Sequence, residues 1–105
     1  MMDDARMQDI YRRVARSLCA AVEPDRFGLP AEVRPLAAAM LDELRDKAPR
    51  TIVGNVEVRG AHLWVRAVLP GTLRERAIAE QILDDYQSMP ARLAMEIAEE
   101  WRDRG

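Results

Sequence analysis

The chain has one cysteine, one histidine, one phenylalanine, one lysine and two serines among its 105 residues, and each scarcity excludes something. With Cys19 alone, no intramolecular disulfide can form and nothing favours secretion. Its neighbours Leu18, Ala20 and Ala21 suggest a small core residue, since no lysine or histidine stands nearby in sequence to stabilise a thiolate. His62, Ser17 and Ser88 leave no spacing at which a nucleophile, a base and oxyanion donors can be named together. There is also no Gly-rich phosphate loop and no clustered ligand set, so no enzyme, metal or cofactor is expected. No apolar run approaches the ~18 residues of a membrane span, and the amino-terminal MMDDARMQD is acidic where a signal peptide is basic; a cytoplasmic address is therefore expected.

Charge of one sign is lacking too. Sixteen Lys and Arg face eighteen Asp and Glu, a net charge of −2, which supplies no global attraction for nucleic acid or an acidic membrane. What is present is 49% apolar residues, enough for one compact domain over residues 1–105 with a modest core. Arg greatly outnumbers Lys and Ala is abundant, a bias that fits a GC-rich bacterial or phage genome.

Only Arg50 to Pro70, RTIVGNVEVRGAHLWVRAVLP, does not read as helix. Apolar and polar residues alternate around a central Gly60, the pattern of a β-hairpin. With a turn at Arg59, Gly60 and Ala61, side-chain parity sends Val56, Val58, Leu63, Val65, Ala67 and Leu69 to one face, over the helices. Asn55, Glu57, Arg59, His62, Trp64, Arg66 and Val68 fall on the other. Ile52 and Val53 are left unassigned, because Gly54 can mark a bulge that shifts the parity. Trp64 has two open placements, beneath a later helix or bare beside Arg59, His62 and Arg66 as an aromatic and basic patch. His62 reads as a polar surface residue rather than a ligand or base.

Helices are expected on both sides. The first runs from about Asp4 to Val22, capped by Asp3 or Asp4, with Met7, Ile10, Tyr11, Val14, Leu18 and Ala21 as its apolar stripe and Arg12, Arg13 and Arg16 as a solvated basic face. Pro24 ends it, and a loop over 23–30 lays Phe27 and Leu29 on the core as a lid. The second spans 31–48, starting nearer Glu32 to Arg34 because of Pro35, with Val33, Leu36, Ala37, Met40, Leu41 and Leu44 inward and a surface pair Glu43 and Lys47. Thr72 and Glu75 form the capping pattern T-x-x-E for a third helix with Ala77, Ile78, Ile82, Leu83 and Tyr86 inward and Arg74, Arg76, Glu80, Asp84 and Asp85 in solvent. A fourth, after Ser88 and Pro90, carries Met89, Leu93, Ile97 and Trp101 on one side and an acidic face of Glu96, Glu99, Glu100 and Asp103 on the other. The fold class is α+β, in the order ααββαα.

Three functional classes are weighed. A two-stranded hairpin has two free edges, and neither strand carries a proline to block pairing, so the favoured class is a small non-enzymatic interaction or regulatory module that works through the hairpin face and edge. Its contact residues are Glu57, Arg59, His62, Trp64 and Arg66; its partner is an unidentified protein or a second copy, as a homodimer. An inhibitor or adaptor of a larger bacterial or phage complex fits that description. The alternative is a winged-helix-like nucleic-acid binder using helix 31–48 and hairpin 51–69, with Arg45, Lys47 and Arg50 on phosphates. Asp42, Glu43 and Asp46 stand against it. An enzyme is the least favoured class.

Overall fold

The computed structural model describes residues 3–19 and 27–104. Their order is α1 (Asp4–Cys19), a short 3-10 turn (Ala31–Val33), α2 (Arg34–Lys47), β1 (Ile52–Arg59), β2 (His62–Val68), α3 (Leu73–Ser88) and α4 (Ala91–Arg104). This is the α+β arrangement of two helices, an antiparallel hairpin and two helices that the pattern predicts. The expected end of the first helix at Val22, the role of Pro24 and the Ala21 position fall outside the described residues, as does the side chain of Cys19.

Local chemistry explains most boundaries. Asp3 caps α1, its carboxylate accepting the Arg6 N–H at 2.8 Å, which satisfies an amide left free in the first turn. Pro35 sits in the first turn of α2, where it needs no amide partner. The capping box before α3 does not form: Thr72 makes no side-chain cap bond. Glu75 instead accepts the backbone N–H of Arg50 at 2.9 Å, so its carboxylate ties the entry of β1 to α3. That tertiary use replaces the local one.

One cluster of buried side chains draws on α1, α2, α3, α4 and the hairpin, with Ile10, Val14, Leu36, Met40, Val56, Leu63 and Tyr86 near its centre. Leu29 is buried and Phe27 packs on the cluster, the lid that the loop predicts. α1 packs against both α2 and α4, α2 against α3, and α3 beneath β2. Trp101 meets Tyr11 edge to face, 6.2 Å between ring centres, so the last helix lies across α1.

Two apolar stripes are set differently from the expectation. On α3, Ala79, Ile82, Leu83 and Tyr86 are buried while Ala77 and Ile78 are exposed; Ala77 falls roughly 160° round the helix from Ala79. On α4 the buried row is Ala91, Ala94, Met95 and Ala98, and Leu93 is 48% exposed. A row repeating every fourth residue drifts about 40° per step on a helix with a 3.6-residue turn. Leu93 therefore faces out, whereas Ile97 and Trp101 come round to partial burial. The alanine row lets α4 lie close to its neighbours.

In the hairpin Val53 stands opposite Ala67, Val56 opposite Val65 and Val58 opposite Leu63, with a register shift between Val53 and Asn55. The bulge is at Gly54, and it puts Ile52 on the outer face opposite Val68. Gly60 has φ +61°, the left-handed value that a two-residue turn asks of its first central residue. Gly60→Ala should lower stability by about 1–2 kcal/mol, read as a shifted urea midpoint with unchanged slope; an unaltered midpoint would mean the turn tolerates a side chain.

Candidate functional site

The five residues expected to meet a partner are brought together. Glu57 lies opposite Trp64, Arg59 opposite His62, and Asn55 opposite Arg66, so direct cross-strand neighbours share the outer face. Trp64 is 50% exposed, which decides between its two placements: no helix covers it. The Arg59 guanidinium sits over its ring, 4.6 Å from the centre, a cation–π contact that holds the indole in place. Arg59 Nε also donates to Glu57 Oε2 at 3.1 Å, and Asn55 Nδ2 donates to Glu57 Oε1 at 2.9 Å. At the far end of the same face Ile52 and Val68 are 64% and 65% exposed. Parity left Ile52 unassigned, and the bulge decides its side.

The outer margin of β2 is occupied by groups of the chain itself. Val65 N–H donates to Gln87 Oε1 at 2.9 Å, so a side chain of α3 occupies the outer edge of β2. Beside it, Ala91 N–H donates to the carbonyl of Ala61 at 2.7 Å.

Arg45, Lys47 and Arg50 are all exposed. Lys47 is committed to Glu43, Nζ to Oε2 3.0 Å, and Asp42 and Asp46 are exposed on the same helix.

A second polar constellation lies inside the protein, and it overturns the surface reading of Glu43 and Asp85. Both are buried. Arg6 reaches between them, Nη1 to Glu43 Oε2 and Nε to Asp85 Oδ2, each 2.8 Å. Tyr86 donates its hydroxyl to Glu43 Oε1 at 3.0 Å, and Gln81 Nε2 donates to Asp85 Oδ1 at 2.8 Å. Arg13, expected on a solvated face, is largely enclosed, its Nε 3.5 Å from both Glu43 and Asp9. Asp84 stays exposed, so the adjacent aspartates do diverge. Burial pushes the Glu43 carboxyl up, but the hydrogen bonds and charges of Arg6 and Lys47 outweigh it and hold the group below its ordinary value. Burial, with the charge of Glu43 beside it, pushes the Tyr86 hydroxyl far above its usual range. An ionised Glu43 and a protonated Tyr86, each saturated by partners, make a clasp joining α1, α2 and α3. Among the described residues no three His, Cys, Asp or Glu side chains are grouped to hold a metal, and no helix is long and apolar enough to cross a membrane.

No family model, curated protein or solved structure matches this chain.

Glu43→Gln should destabilise the fold by about 1.5–3 kcal/mol, since Arg6 loses one charged acceptor while keeping Asp85. Tyr86→Phe should cost about 1.5–3 kcal/mol, for one hydrogen bond to a charged acceptor. Because the folded-state pKa of Glu43 is depressed from 4.5, its contribution is complete above that pH and is lost as pH falls through the folded value. Chemical denaturation between pH 3 and pH 7 should thus show a steeper acid loss in the wild type than in Glu43→Gln; parallel curves would contradict the clasp.

Proposed function

We propose that this chain is a small non-enzymatic protein–protein interaction module of a regulatory kind, working through the face and edge of its hairpin, with Glu57, Arg59, His62, Trp64 and Arg66 as contact residues. The supporting observation is the half-exposed Trp64 pinned beneath Arg59, on a face that also leaves Ile52 and Val68 bare. Tryptophan and arginine are the residues most enriched among those that dominate binding energy. An indole already held in one orientation loses little further freedom when a partner covers it. An inhibitor or adaptor that caps part of a larger bacterial or phage assembly is the role that suits a face of this size.

Nucleic-acid binding through α2 and the hairpin is the weaker proposal. Lys47 is neutralised by Glu43, and Asp42 and Asp46 present carboxylates where phosphate would approach.

Trp64→Ala should change stability by no more than about 1 kcal/mol, since half the ring is already in solvent, while removing partner binding. A photoreactive residue at position 64 should give covalent adducts in the native host that one at the exposed position 93 does not. Equal labelling from both positions, or none from 64, would overturn the proposal.

A further inference from the structure

The outer face of the hairpin carries more positive charge than it neutralises. Glu57, its one carboxylate, has both oxygens engaged: Oε1 accepts Asn55 Nδ2 at 2.9 Å and Oε2 accepts Arg59 Nε at 3.1 Å. Arg66 is exposed and, among the described residues, its side chain makes no hydrogen bond or ion pair. At the end of the hairpin marked by Ile52 and Val68, Arg50 and Arg74 are exposed as well, while Glu75, next to Arg74, gives its Oε2 to the Arg50 N–H at 2.9 Å. The order of groups matters as much as their charge. Trp64, Arg66 and Val68 are alternate residues of β2, so they follow one another along the face about 7 Å apart, with Ile52 opposite Val68. Trp64, Ile52 and Val68 are each half exposed or more. An unpaired guanidinium thus stands between an uncovered indole and an uncovered aliphatic pair.

We propose that this strip takes a segment of another protein that presents a carboxylate between two apolar side chains, the carboxylate on Arg66 and the apolar groups on the indole and on Ile52 with Val68. The inference rests on the reading of the hairpin face as the working surface, and names the chemistry of its partner. A guanidinium grips a carboxylate with two parallel hydrogen bonds. Apolar contacts on both sides keep water from that pair, and charges attract more strongly where the dielectric is lower. A second copy is the poorer occupant, because two such faces laid together set the positive excess of one against that of the other. A nucleic-acid strand offers a phosphate to Arg66 and a base to Trp64, but its sugar–phosphate chain leaves Ile52 and Val68 without an apolar counterpart. A protein segment supplies all three contacts at once.

Selection of random-sequence peptides displayed on phage, with the intact chain as bait, tests the proposal. The enriched sequences should carry Asp or Glu flanked on both sides by apolar residues. Synthetic copies should lose about tenfold or more in affinity for Trp64→Ala or Arg66→Glu, and a similar factor when the acid is changed to its amide. A copy with that acid changed to Arg should bind Arg66→Glu better than it binds the wild type, which also shows that the variant is folded. Enriched peptides with no acidic excess, peptides indifferent to Arg66→Glu, or a charge exchange that restores nothing would each overturn the proposal. So would displacement of the peptide by a random-sequence oligonucleotide, or a wild type whose self-association in sedimentation is abolished by Trp64→Ala, since each gives the face to a different occupant. If the enriched peptides need Trp64 but carry no acid, the partner chemistry is wrong and the interaction reading stands; if no enriched peptide depends on Trp64 and position 64 gives no cross-link in the host, both fall.

Discussion

The Arg6 guanidinium of α1 is the polar joint at which α2 and α3 meet in this fold. Its planar fork serves Glu43 on α2 and Asp85 on α3 at once, and such a fork binds carboxylates with directional preference that a point charge lacks. Apolar packing of α3 comes from Ala79, Ile82, Leu83 and Tyr86. Two carboxylates held by one guanidinium add a directional contact to that packing. Taking these charges out of water is expensive, and an apolar triad of equal volume could be as stable; what the ionic version contributes is one rotational setting of α3.

That setting is transmitted to the surface. Tyr86 donates to Glu43, and the next residue, Gln87, accepts the Val65 N–H of β2. At the other end of α3, Glu75 accepts the Arg50 N–H just before β1. The hairpin is thus fixed at both ends by α3, and α3 by the clasp. A two-stranded ribbon has little stability of its own in water; here its inner face is buried at Val56 and Leu63, and its position follows from a polar network on the far side of the core.

Much of this was legible in the residues. The alternation from Val53 to Val68, the glycine at the turn and the prolines at helix starts are local signals, and the elements formed where they indicated. Side-chain parity predicted which hairpin residues share a face, and left open only Ile52 and Val53, where the bulge intervenes. The clasp left no such signal. Arg6, Glu43 and Asp85 are far apart in sequence, and each sits among other charged residues of a helix that looks solvated on pattern alone. A pairing of charges across helices has no period to detect. The Thr72 and Glu75 box failed for a related reason: the motif describes what Glu75 can do locally and says nothing of a free amide brought beside it by the fold.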